Sequence, residues 1–120
     1  MLTTLKEAGW GLSLASNVGR KALNLMLKKF SLTCYFDLTV SRNEVDLLKP
    51  EIEGLNFIKS YYRENLLDID RTCMVGDSVT DIETARNAGI NVAILVNGED
   101  KTDRLRAHRP DYLLNNLSDL

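Results

Sequence analysis

Cys73-Met-Val-Gly-Asp-Ser-Val-Thr-Asp81 is the stretch that decides the fold of this chain. An apolar run ends in Gly76-Asp77-Ser78, and a second carboxylate follows at Asp81, where a helix is predicted to open. That order puts two acids at the carboxyl end of a buried strand, the edge on which α/β proteins keep their chemistry. Hard cations such as Mg²⁺ take oxygen ligands, and two carboxylates on a strand-to-helix turn can supply or orient them.

Working outward, Thr72 to Val75 predicts a strand. Thr80 with Glu83 three residues on has the form of a capping box for a helix that ends near Gly89. Val92 to Val96 is an uninterrupted apolar strand, and the tail from Pro110 to Leu120 suggests a brief edge strand and one last turn. Upstream, Gly11 to Ser16 reads as a short buried strand, after which Val18, Ala22, Met26 and Phe30 recur every four residues as a helix face. Cys34 to Val40 predicts a second strand, and Ser41 to Leu48 a polar loop. Pro50 suits the first turn of a helix whose apolar face is Ile52, Leu55, Ile58, Tyr62 and Leu66. The first residues read as the end of an amphipathic helix stopped by Gly9. Strands alternating with helices predict an α/β fold class: a parallel sheet covered by helices on both faces.

The chain has 120 residues, enough for one small domain, 1–120, and small for an enzyme with its own substrate-covering module. With 15 basic and 17 acidic residues the net charge is −2, which marks neither a nucleic-acid nor an anionic-membrane surface, so small soluble ligands are expected. Cys34 and Cys73 are too few and too far apart for a metal clip or a disulfide framework, and both stand in apolar, strand-like surroundings. The expectation is a reduced, cytoplasmic protein with neither signal peptide nor anchor. His108 reads as a solvent-facing loop residue, Tyr61 and Tyr62 as half-buried, and Trp10 as packed at the edge of the core.

Three pieces fall where strands end: Ser16-Asn17 after the first strand, Lys49 before the second full helix, and Asp77 with Asp81 after the third strand. In a parallel sheet such ends share one edge. Ser16 and the N–H groups after it can bind phosphoryl oxygens, Lys49 can neutralise charge, and the two acids can hold Mg²⁺. Plainer roles exist for each. Ser16 and Asn17 also suit an N-cap pair for a helix at Val18, Ser78 is an alternative N-cap, Asp81 suits a first-turn acid, and a lysine such as Lys49 is ordinarily solvated.

This set, in this order, resembles the haloacid dehalogenase-like (HAD) hydrolase superfamily, in its phosphoglycolate phosphatase and phosphoglucomutase-like branch. The resemblance rests on Leu5-Lys-Glu-Ala-Gly9 leading to Leu-Ala-Ser-Asn17, on Leu-Lys-Pro50-Glu, and on Met-Val-Gly-Asp-Ser-Val-Thr-Asp81-Ile-Glu-Thr-Ala-Arg-Asn-Ala-Gly89. It implies a Rossmann-like three-layer core and a Mg²⁺-dependent phosphatase that attacks small phosphate monoesters through a phosphoaspartate. It also implies catalytic roles for Ser16, which bonds the transferring phosphoryl group with Asn17 beside it, and for Lys49, which stabilises that group's charge. Asp77 would be a Mg²⁺ ligand, with Asp81 its partner acid supporting the metal sphere.

One departure matters. The family's first motif, an apolar strand ending Asp-x-Asp-x-Thr, precedes the serine motif and carries the nucleophile; here only a helix end precedes Ser16, and the cap that selects the substrate, inserted between those motifs in this branch, is missing with it. Asp68-Ile-Asp70-Arg-Thr72 has the letters of that motif but follows a helix, so it reads as the loop entering the third strand. Loss of the nucleophile strand would leave a gap in the middle of the sheet. The strands at Ser16 and Gly76 then pair directly, or another chain supplies the strand, or the chain is the C-terminal part of a protein that starts upstream, the outcome expected here, and is inactive alone. The competing expectation is a non-catalytic phosphate- or metal-binding or assembly module; a receiver-like domain would carry its acids before its hydroxyl residue and lysine, the reverse of Ser16, Lys49, Asp77.

Overall fold

The computed structural model describes residues 1–64, 71–96 and 99–120; Leu66, Asp68 and Asp70, each assigned a place from sequence, lie outside the described residues. Its elements are α1 (Leu2–Glu7), β1 (Ser13–Ala15), α2 (Arg20–Lys29), β2 (Leu38–Val40), α3 (Glu53–Glu64), β3 (Cys73–Gly76), α4 (Val79–Ala88), β4 (Asn91–Leu95), α5 (Glu99–Ala107) and β5 (Tyr112–Leu114). They gather into two compact units, Met1–Leu48 with Glu53–Ile69, and Lys49–Ile52 with Asp70–Leu120. The α/β class follows directly from the strand pairing. Every ladder among the described residues is parallel, in a two-stranded sheet β1-β2 and a three-stranded sheet β3-β4-β5.

In the first unit β1 and β2 pair with Ser13 opposite Leu38 and Ala15 opposite Val40. The Ser16 N–H extends the ladder onto the Val40 carbonyl at 2.9 Å. Helix α2 does not start at Val18 with Ser16 and Asn17 as its caps. It starts at Arg20 behind an extended Gly19, because Ser16 Oγ is taken up one turn earlier, accepting the Val18 N–H at 3.3 Å. Its inner face is also one residue off the expected row. Leu23 and Leu27 are buried at 2% and 5% exposure, whereas Met26 and Phe30 are 44% and 60% exposed. Two apolar rows of the same spacing run along this helix, and periodicity does not choose between them.

The second strand is shorter than its apolar run, since Thr33–Tyr35 forms a 3₁₀ turn and leaves Cys34 exposed. Pro50 lies before α3 rather than in its first turn; the helix begins at Glu53, whose carboxylate accepts the Asp46 and Leu47 N–H groups at 2.9 and 2.8 Å. Ile58 carries the buried face as expected. Asp37, just before β2, ties the unit together: Oδ1 pairs with Lys6 at 2.7 Å, and Oδ2 accepts the Leu12 N–H at 3.0 Å and the Tyr62 hydroxyl at 3.1 Å. Gly9 stops α1 at φ +90°, as the sequence suggested, and Trp10 after it is 45% exposed.

The second unit has its core between β3-β4-β5 and its helices. Ile82, Ala85, Val92, Ile94 and Leu105 form it, with Met74, Val79 and Ile90 packed against it. Strand β4 is central and buried, while β3 is a sheet edge on which Cys73 and Val75 are exposed, contrary to the buried setting expected of Cys73. Helix α5 was not expected from sequence, because it carries a single large apolar side chain, Leu105, which is buried in the core. Among the described residues no helix is long and apolar enough to cross a membrane.

Candidate phosphate and metal site

The turn from β3 to α4 is organised by Asp81. Its register with β4 puts Gly76 opposite Ile94, so Asp77 leaves the sheet at the carboxyl end of β3. Ser78, extended at φ −133°, is the N-cap, and its hydroxyl accepts the Asp81 N–H at 3.3 Å. Asp81 reciprocates: Oδ2 accepts the Asp77 N–H at 3.0 Å, the Ser78 N–H at 3.2 Å and the Ser78 hydroxyl at 2.9 Å. The capping box is therefore Ser78 with Asp81, two residues ahead of the Thr80–Glu83 pair expected from sequence. At the far end Gly89 closes the helix in the left-handed region at φ +69°, as expected.

The carboxylate sits so close under the turn that only glycine fits above it: a Cβ on residue 76 would stand 2.3 Å from Asp81 Oδ2. The Gly-Asp-Ser order thus has a steric cause as well as a chemical one. The second oxygen, Oδ1, faces Lys49 Nζ at 2.9 Å, in an ion pair whose side chains are 20% and 8% exposed. Burial, the largest influence, pushes the Asp81 carboxyl up, but the Lys49 bond and charge, the Ser78 hydroxyl and the Asp77 N–H together hold it below the ordinary aspartate value. The segment Lys49–Ile52 is held in this unit, and Asn87 Nδ2 on α4 donates to the Pro50 carbonyl at 3.0 Å. Asn87 fixes the lysine's turn, a role the sequence reading missed; its place beside Ala88-Gly89 at the end of the motif was the only signal.

Of the sequence-predicted residues, Lys49, Asp77 and Asp81 are thus brought together in one unit. Asp77 is exposed, and no hydrogen bond to its carboxylate is formed among the described residues. Ser16 and Asn17 belong to the other unit, at the carboxyl end of β1, with Ser16 half-buried and Asn17 exposed.

As a test of fit to Mg²⁺, the donor set is partial. Asp77 offers a free carboxylate, which suits a cation that keeps waters and shares one or two carboxylates with substrate phosphate. Asp81 has both oxygens engaged, and no group of three His, Cys, Asp or Glu side chains able to hold a metal occurs among the described residues.

Comparison with known proteins agrees with this geometry. A family model described as Haloacid dehalogenase-like hydrolase matches residues 1–95. Pyrophosphatase PpaX of Bacillus velezensis is 31% identical over 119 residues, covering 99% of this chain and 54% of the relative. Pyrophosphatase PpaX of Halalkalibacterium halodurans is 32% identical over 117 residues, covering 98% and 53%. The chain therefore spans about half the length of the curated relatives it matches. Among solved structures, a predicted phosphoglycolate phosphatase from Haemophilus somnus superposes with a TM-score of 0.87 at 24% identity, over 98% of this chain and 51% of that one. A HAD-superfamily hydrolase from Geobacter sulfurreducens superposes with a TM-score of 0.75 at 23% identity, over 95% and 52%. Parallel strands ending in Ser16 and in Gly76-Asp77, a lysine drawn onto the second acid of the turn, and a family match over most of the length lead to one conclusion: the chain belongs to the haloacid dehalogenase-like hydrolases.

Proposed function

We propose that this chain supplies the phosphate- and Mg²⁺-binding half of a phosphohydrolase acting on small phosphate monoesters or on pyrophosphate, and that it is inactive alone. The observation that carries the reading is the Lys49–Asp81 pair at 2.9 Å, set beside the exposed carboxylate of Asp77. Asp81 holds the ammonium in place, and the capping box holds Asp81, so a charged group reaches the phosphate edge without reorganisation. The Lys49 charge would offset that of phosphoryl oxygens. In the other unit, Ser16 Oγ and the N–H groups that follow it are the phosphate-binding candidates that family membership implies.

Asp77 would hold Mg²⁺, with Asp81 orienting the turn rather than ligating. The bound ion would neutralise charge on the phosphoryl oxygens and leaving group. The nucleophilic aspartate implied by family membership would come from a strand that is not among the described residues, a partner chain included. The two free cysteines suit a reducing compartment, which supports a cytoplasmic setting.

Calorimetry on the purified chain tests this. Orthophosphate is expected to bind in the presence of Mg²⁺, more weakly after Asp77→Asn and after Lys49→Met, with no turnover of an aryl phosphate. Absence of any binding would remove the proposal. Turnover abolished by Asp77→Asn would show that the chain carries its own nucleophile.

The alternative is a non-catalytic binding module. It predicts phosphate binding that is indifferent to Mg²⁺ and to Asp77→Asn.

A further inference from the structure

Helix α4 holds the Lys49–Ile52 segment at two points. Near the start of the helix Asp81 Oδ1 pairs with Lys49 Nζ at 2.9 Å, and in its last turn Asn87 Nδ2 donates to the Pro50 carbonyl at 3.0 Å. At a rise of about 1.5 Å per residue the two anchors stand roughly 9 Å apart along the helix axis. That spacing is fixed. The capping box closes the helix at one end and Gly89 at the other, and Ile82 and Ala85, between the anchors, are buried in the core. The segment they hold belongs to no helix or strand of its own.

Asn87 is exposed and is one of the poorer helix formers, so neither burial nor propensity accounts for it in the last turn. Its neighbour Arg86 ties α4 to the chain entering β5, with Nη1 on Asp111 Oδ2 at 2.9 Å and Nη2 on the Arg109 carbonyl at 2.7 Å. Asn87 does the same for the lysine segment. The carbonyl it holds belongs to the residue directly after Lys49, and the proline ring locks φ between the two. Few soft torsions therefore separate the anchored oxygen from the lysine backbone.

A lysine carries its ammonium on a flexible four-carbon stem, and an ion pair at the end of such a stem is worth little while the backbone beneath it moves. Anchoring the backbone removes that freedom before a ligand arrives, which is where preorganisation gains its affinity. We infer that Asn87 is a positioning residue for the phosphate site: it touches neither phosphate nor metal, and by holding the Pro50 carbonyl it keeps the Lys49 ammonium on Asp81. What the placed ammonium acts on rests on the phosphate-site reading above. Where it is placed does not, so the two can fail separately.

The experiment compares the full chain with its Asn87→Ala variant in two assays, with circular dichroism as the folding control. Labelling by a small amine-directed reagent, read by mass spectrometry, gives the rate at Lys49 against the exposed Lys21 and Lys28 as references, and Asp81→Asn gives the rate of a released lysine. Calorimetry with Mg²⁺ present gives the affinity for orthophosphate. In Asn87→Ala, Lys49 is expected to label about fivefold faster and orthophosphate to bind about fivefold more weakly, the worth of one neutral hydrogen bond. Asn87→Gln, which keeps a donor amide, should recover part of both, and the loss of affinity should vanish in a Lys49→Met background. An unchanged Lys49 labelling rate in folded Asn87→Ala overturns the inference, as does a loss of affinity that persists undiminished with Lys49→Met. If the unaltered chain binds no orthophosphate, the phosphate-site reading falls and the labelling rates alone decide whether Asn87 positions the lysine.

Discussion

Asp81→Asn is the substitution that tests the central claim, because it keeps the shape of the side chain and removes the charge. The native carboxylate serves two sets of donors at once, the turn's N–H and hydroxyl groups at Oδ2 and Lys49 at Oδ1. An amide has one acceptor oxygen. If it stays on the turn, its NH₂ faces the Lys49 ammonium; if it turns to Lys49, the Asp77 and Ser78 N–H groups face donors. Losing one partner of a buried ion pair costs about 3–5 kcal/mol, and losing a hydrogen bond to a charged group about 1.5–3 kcal/mol. Lys49 keeps a fifth of its side-chain surface in water, at 20% exposure, which places the total near the join of those ranges.

The expected loss is about 3 kcal/mol, or roughly 10 °C in melting temperature for a domain of this size. Lys49→Met should cost about half as much, since Asp81 keeps its turn donors, and the double variant should lose less than the sum. Urea unfolding followed by circular dichroism gives the totals. Amide exchange localises them: the Asp77 and Ser78 N–H groups should lose protection in Asp81→Asn and keep it in Lys49→Met. A loss below about 1 kcal/mol, or strict additivity with Lys49→Met, would show that Asp81 is an ordinary first-turn acid and that the lysine is not positioned by it.

Other consequences can be checked with the same preparation. Asp37 and Asp81 are both held below the ordinary aspartate value, in each case against the upward push of burial, so their contribution is fully present above the unfolded value of about 3.9 and is lost as pH falls below it; acid titration should show an unfolding limb that flattens in Asp37→Asn and in Asp81→Asn. Gly76→Ala drives a methyl into the Asp81 side chain and should cost about 3 kcal/mol in urea unfolding, a cost that persists in the Asp81→Asn background because the amide has the same shape. Leu23→Ala should destabilise by about 2–5 kcal/mol while Phe30→Ala changes stability by under about 0.5 kcal/mol, and the reverse order would restore the inner face of α2 expected from sequence. Burial, with the Asp37 carboxylate adding to it against the Ser13 hydroxyl bond, pushes Tyr62 up to about 12, so alkaline spectrophotometric titration should show one late tyrosine among the four, absent in Tyr62→Phe.

What was legible in the sequence was whatever is enforced locally. Gly9 and Gly89 end helices because a positive φ is cheap only for glycine, and that is visible in one letter. Strand β4 was visible because it is central and apolar throughout, and the Gly76-Asp77-Ser78-x-x-Asp81 turn because steric and hydrogen-bonding demands coincide within six residues. The errors came where several residues satisfy the same local rule and a tertiary partner chooses among them. Ser78 and Thr80 can each cap α4, and Ser78 does so because Asp81, held by Lys49 from 32 residues away, stands three residues after it. The Leu23–Leu27 row and the row through Met26 and Phe30 have the same spacing on α2, so their burial differs for a reason that no spacing contains. Arg20 and Arg42 are the same amino acid, and only the placement of Thr39 and Glu44 decides that Arg20 is the one spent on the fold. Motifs mark where chemistry is kept in such a chain, whereas the residues that adjust that chemistry are set by their neighbours in space.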